Sequence, residues 1–304
     1  MRLTLMAATR SRTALGLTLG VILLSPASAP APLRAHASDA PAARELRVCA
    51  DPNNLPFSND RLQGLENRLA DLLARDLGAT LSYTWLPQRR GFVRNTLNTG
   101  QCDVLMGVPT GLDLVQTTKP YYRSMYVFVS KRSRHLGLQS FDDPRLRHLR
   151  IGVQLIGDDG TNSPPAHALS ARGIVSNVVG YSVYGDYSQP NPPAAIVSAV
   201  AAGDIDAAVV WGPLAGFFAR QQKTALELSP VVPDVDRTSL PLSFNIAMAI
   251  RRGDQVQCQV LDDFLTRRRV EIRRLLAQYG VPHIERLGEF TFLRGLLPPP
   301  RKGS

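Results

Sequence analysis

The feature that most constrains this chain is a repeated alternation of short apolar runs with longer stretches whose apolar residues fall at steps of three and four. Residues 46–50, LRVCA, form a β-rich run that stops at Asp51-Pro52-Asn53-Asn54, a group of turn formers at what becomes a strand's C-terminal mouth. Leu65, Leu69, Leu72, Leu73 and Leu77 then give one buried helical stripe, and Gly78 is placed to end it. Residues 80–86 read as a second strand, 91–99 as a second helix and 103–108 as a third strand. The order β-α-β-α-β, with strands almost wholly apolar, implies a parallel sheet covered on both faces and joined by right-handed crossovers. A second such unit begins at 149–153 and continues through a helix at 166–172, a strand at 176–181, a helix at 194–202 and a strand at 207–211. Two similar halves predict an α/β chain of two lobes with mainly parallel sheets. Residues 121–130 are one extended segment crossing between the lobes, and 242–250 are a second that returns to the first. The helical spacing over 256–279, ended at Gly280, predicts a helix packed back on the first lobe, and the Pro- and Arg-rich tail is expected to be irregular.

The first residues argue for export. Arg2, Arg10 and Arg12 precede an apolar centre at 14–24, with the length and flanks of a signal-peptide core and too short to span a bilayer. Pro30 disfavours cutting after Ala27-Ser28-Ala29, so cleavage is expected after Ala35-His36-Ala37. The division that follows is signal peptide 1–37, first lobe 38–130, second lobe 131–240, return strand and C-terminal helix of the first lobe 241–284, and irregular tail 285–304. The periplasm is the expected compartment. The net charge of +10 includes four arginines within residues 1–37, where no acid stands, so the exported part carries +6. Such an excess suits nucleic acid, lipid headgroups or an acidic protein, and export makes nucleic acid the least favoured.

Cys49, Cys102 and Cys258 meet an oxidising compartment, where one disulfide can form and one thiol is left over. With Cys49 in mid-strand and Cys102 at the start of a neighbouring parallel strand, the two fall too far apart along the strands, so Cys102 with Cys258 is the expected pair. There is no CxxC, and the five histidines are scattered, so no metal site is assigned.

The order LRVCADPNNLPFSN, GLENRLADLLARDLGATLSYTW, GQCDVLMGVP and TTKPYY resembles the type II periplasmic solute-binding proteins of the amino-acid-binding kind. CADPNNLPFSN, QRRGFVRNTLNTGQCDVLMGVP and AAVVWGPLAG are similar to one branch, the MxaJ and XoxJ proteins associated with PQQ-dependent methanol dehydrogenases. The resemblance implies the type II periplasmic-binding-protein fold and an accessory role beside a quinoprotein dehydrogenase. The PQQ would belong to that partner, and the chain itself would need no cofactor. Two departures from the amino-acid binders matter. Residues 110–114, TGLDL, lack the arginine that clamps a ligand carboxylate, and Trp211 stands where an aspartate holds the ligand ammonium. Losing such a charge-assisted bond removes on the order of 2 kcal/mol, which disfavours a free α-amino acid.

Open α/β sheets present ligand contacts at the C-terminal ends of their strands. That rule selects Asp51, Asn53, Phe57, Gln88, Arg89, Arg90, Val108, Pro109 and Trp211 as cleft residues. Arg89 and Arg94 are the cations able to meet an anionic group, or else structural partners of nearby acids. Asp158 and Asp159 lie in a turn before a helix. Tyr187 belongs to a loop rich in Tyr, Pro and Gly that suits an aromatic contact surface. Three functions follow: an accessory that binds the dehydrogenase or a small ligand, a transporter-linked receptor for an aromatic or anionic solute, and a dehydratase acting on cyclohexadienyl acids. The last needs a tuned acid or base, for which Glu66, Asp51, Asp158 and Asp159 are the candidates, and no pair is fixed by spacing.

Overall fold

The computed structural model describes residues 44–156, 162–182, 187–286 and 289–291. Strand β1 (Glu45–Ala50) runs into two short strands, β2 (Asn53–Asn54) and β3 (Ser58–Asn59), and then helix α1 (Leu65–Leu77). The α1 stripe forms as its spacing requires: Leu65, Leu69, Ala70 and Leu73 are buried. Gly78, left-handed at φ 59°, ends the helix by turning its amide back to the carbonyls of Ala74 and Arg75. Strand β4 (Thr80–Trp85), the short helix α2 (Phe92–Asn95) and β5 (Val104–Pro109) complete the first unit. Strand β1 lies between β4 and β5 and pairs parallel with both. Helix α2 covers only part of the predicted 91–99, because Thr96 turns its hydroxyl onto the Phe92 carbonyl at 2.7 Å and leaves helical geometry.

After β6 (Gln116–Thr117) the chain enters β7 (Tyr122–Lys131), the longest strand. The second unit follows: β8 (Ile151–Leu155), α3 (Pro164–Ser170), β9 (Val178–Ser182), α4 (Ala195–Ala202), β10 (Ala207–Trp211), α5 (Gly212–Ala219) and β11 (Leu226–Pro230). Strands β9, β8 and β10 are parallel, and β12 (Ser243–Ile250) carries the chain back. The two sheets are joined by β7. Its first residues pair antiparallel with β12, Tyr122 with Ile246 through Met125 with Ser243, and its later ones pair with β10 and β11. Strand β12 in turn pairs with β5. Helices α6 (Gln255–Arg267) and α7 (Arg269–Gln278) pack with α1 on one face of the first sheet, burying Leu69, Leu73, Leu261 and Phe264. Each fully buried side chain of this size contributes about 1.5–3 kcal/mol.

Three expectations are corrected. The single helical stretch over 256–279 is two helices, broken at Arg268, whose guanidinium joins that of Arg267 on Asp76 at 2.7 and 2.6 Å. The tail expected to be irregular holds a hairpin of β13 (His283–Arg286) and β14 (Glu289–Thr291). The Pro282 carbonyl accepts a 2.6 Å bond from the Ser124 hydroxyl of β7, which lays the next residues beside that strand. The disulfide joins Cys49 to Cys102, with Cα atoms 5.5 Å apart, and Cys258 is free. Cys102 is not in line with β5 as the strand argument assumed. The Gln101 carbonyl accepts from Thr84 at 2.8 Å, and Thr84 is the neighbour of Cys49 in β4. The chain therefore crosses over the sheet at the level of Cys49 before it drops into β5. Cys258 sits over Thr117, its thiol 3.7 Å from that carbonyl.

Candidate functional site

The C-terminal ends of strands from both sheets converge on one cavity of about 470 Å³, within the range of small-molecule sites. Gln88 beyond β4, Asn54 and Phe57 beyond β1, and Gly107 and Pro109 of β5 come from the first sheet. Gln154 of β8, Ser163 before α3, and Trp211 of β10 come from the second. The crossing strands supply Tyr122 and Tyr126 of β7 and Phe244 and Ile246 of β12.

The wall is aromatic. Trp211 meets Tyr126 edge-on with ring centres 5.4 Å apart, and Phe244 on its other side at 5.8 Å. The backbone N–H of Trp211 donates to Oε1 of the buried Gln154 at 3.3 Å, which fixes where the strand ends. Pro213 in the first turn then starts α5, so the indole stands at a strand-to-helix corner.

Glu66 is the sole acidic side chain among the described residues of this lining. Its place on α1 is set by Gly64, where an added Cβ would lie 2.1 Å from the Phe57 carbonyl oxygen, and by a 2.8 Å bond from its own N–H to that carbonyl. The carboxylate lies over Gly107, in the space a side chain there would fill: an added Cβ would be 2.0 Å from Glu66 Oε1. Burial, reinforced by the charge of Asp51, pushes the Glu66 carboxyl up to about 8. Among the described residues no donor or cation meets it. Across the cavity the Ser163 hydroxyl is buried without a hydrogen-bond partner.

Asp51, buried at the end of β1, does not face the cavity freely. Its carboxylate accepts from the backbone N–H groups of Asn53 at 2.8 Å and Gln88 at 2.7 Å, and from the Tyr187 hydroxyl at 2.5 Å. Tyr187 comes from the far side, between β9 and α4. The guanidinium of Arg89 lies 5.2 Å from the centre of its ring. Beside this pair Asn53 donates to the Gln189 carbonyl at 2.9 Å and accepts from the Asn191 N–H at 3.3 Å. Asp51, Asn53, Arg89 and Tyr187 thus form a latch at the cleft's edge, while Phe57, Pro109 and Trp211 line its interior. Val108 points into the core with Phe92 and Leu105, because a register shift between β5 and β12 at this point returns it to the face of Leu105, three residues back. Arg94 is exposed on α2 and does not line the cavity. Asp158 and Asp159 lie outside the described residues.

The strand-end rule missed Tyr122, Tyr126 and Phe244 because these stand inside the crossing strands. Their period-two spacing, Tyr122 with Tyr126 and Phe244 with Ile246, was the available signal.

Two α/β lobes joined by paired crossing strands, with a lined cleft between the strand ends, define a periplasmic binding protein of the type II fold. No family model matches the chain. It is 32% identical over 249 residues to the protein MoxJ of Methylorubrum extorquens AM1, an alignment spanning 80% of this chain and 82% of that one. The crystal structure of the periplasmic binding protein XoxJ from Methylobacterium extorquens AM1 matches with a TM-score of 0.65 at 33% identity, covering 79% of this chain and 100% of that one. MxaJ from Methlophaga aminisulfidivorans MPT matches with a TM-score of 0.67 at 25% identity, covering 79% and 100%. The chain belongs to the MoxJ and XoxJ family of periplasmic binding proteins.

Proposed function

We propose that this chain is a periplasmic binding-like accessory protein of a PQQ-dependent methanol or alcohol dehydrogenase system, and that it works by non-covalent binding at the inter-lobe cleft. The observation that carries this reading is the cleft itself: an aromatic-walled cavity of about 470 Å³, latched at its edge, in a chain with the family membership given above. The same reading takes 38–130 with 241–284 as one lobe and 131–240 as the other, hinged at β7 and β12, after export on residues 1–37. Binding rather than turnover is supported by the carboxylates. The relative XoxJ is a periplasmic binding protein, and Asp51, which shares the field of Glu66, is committed to three donors and is not free to move a proton on a bound molecule.

A receptor for a small organic solute is the second reading, favoured by the cavity's size and aromatic wall. Size-exclusion chromatography of the exported chain with a holo dehydrogenase tests the first. Co-elution at low salt that fades as salt rises is expected, since a basic chain steers association electrostatically. Separate elution at low salt overturns the accessory reading.

A further inference from the structure

We propose that the inter-lobe cavity takes an organic cation, an ammonium-bearing molecule whose charge meets Glu66 and whose body lies against Trp211, Tyr126 and Phe244. The inference rests on the cleft being a binding site and not on the dehydrogenase pairing, so either can fail without the other.

Charge selects the ligand class. Among the described residues lining the cavity, Glu66 is the sole acid, anionic once pH passes about 8, and no lysine, arginine or histidine lines it. An anionic solute would give up its hydration and find no cation among the described lining residues, whereas a cation would find an acid that, once ionised, has no other partner among them. Arg89 and Arg94, the cations that strand-end reasoning offered to an anion, are elsewhere: one is stacked on Tyr187 and the other is exposed on α2. The carboxylate is also aimed. Gly107 leaves the space it occupies, and the α1 start is fixed by two close approaches to Phe57.

The wall suits the same class. Aromatic faces attract an ammonium through the ring quadrupole, best for Trp and most strongly where water is displaced. Trp211, Tyr126 and Phe244 are held in one edge-to-face chain along the cavity. The Ser163 hydroxyl, buried and without a partner on the opposite lobe, supplies one hydrogen bond to the ligand's body. A ligand held between Glu66 and Ser163 would touch both lobes.

The groups that share the field of Glu66 are Asp51 at the end of β1, Tyr83 of β4, and Tyr121 and Tyr122 where β7 begins. Burial holds all three phenols above the usual range, so they stay neutral where Glu66 titrates. Gly107 of β5, and Phe244 and Ile246 of β12, add no titrating group.

Isothermal titration calorimetry with benzyltrimethylammonium, benzyl alcohol and benzoate decides it. The first probe keeps its charge at every pH, so a change in its affinity reports the protein. Its binding is expected to tighten about tenfold between about pH 7 and about pH 9, as a carboxyl at about 8 ionises, with benzoate failing to bind. Glu66→Gln is expected to weaken the cation about tenfold or more at about pH 9 and to leave benzyl alcohol unchanged. Benzoate binding as tightly as the cation, a cation affinity flat across that pH range, or a cation affinity untouched in E66Q overturns the proposal. The first two outcomes use the unaltered chain, so the answer does not depend on how the variant folds.

Discussion

Glu66 holds its carboxyl against Gly107 with no counter-ion among the described residues, and the consequence is a pH dependence of stability. A carboxyl raised in the folded state binds a proton that the unfolded chain has already released, so stability falls as pH rises from about 4.5 to about 8 and is level above. E66Q removes that slope: thermal unfolding is expected to place it level with the unaltered chain at about pH 5 and above it at about pH 9. A parallel pair of curves would contradict this. Tyr187 shows the opposite case, a polar group spent on structure. Its bond to the Asp51 carboxylate ties the far loop to the first lobe, and bonds to charged acceptors contribute about 1.5–3 kcal/mol. Tyr187→Phe should lower urea stability by about that amount and enlarge the radius of gyration in small-angle scattering. Asp51 and Trp211 were visible in the sequence as strand-end residues, since turn formers and a Gly-Pro corner mark those ends. Glu66 was visible only as an acid early on a helix, because its importance comes from Gly107, a contact no spacing along the chain predicts.

At the scale of elements, periodicity carried most of the way. The stripe of α1, the apolar runs of β1, β5 and β10, and the extended crossings β7 and β12 were legible because each buries a face whose spacing is written locally. Helix α5 was not, since residues 212–219, GPLAGFFA, are apolar all round and offer no polar face from which a helical period could be read. The disulfide was misread for a different reason: the segment before β5 crosses the sheet face, so Cys102 meets Cys49 from above rather than along a strand. Closing a loop across 53 residues, that bridge should contribute about 2–4 kcal/mol. Chemical denaturation of the Cys49→Ser, Cys102→Ser double variant is expected to show that loss, with Cys258→Ser close to the unaltered chain. The reverse ranking would return Cys258 to the bridge.

For the whole molecule, the two sheets share β7, and the cavity lies where their strand ends meet. On the proposed function, that arrangement makes the cleft the place where binding and lobe geometry would be coupled, because its lining comes from both sheets and from the crossing strands. On the accessory reading the basic excess would act at longer range, on encounter more than on the bound contact. The chain has two tryptophans, Trp85 and Trp211. Trp85→Phe therefore leaves the cleft indole as the sole reporter of its kind. The most direct measurement is the emission of Trp211 in that variant as a holo PQQ-dependent dehydrogenase, itself corrected for by a blank titration, is added at low salt. A saturable change in Trp211 emission that tracks co-elution is the predicted result, and a complex that forms while the emission stays constant would contradict the cleft as the working surface.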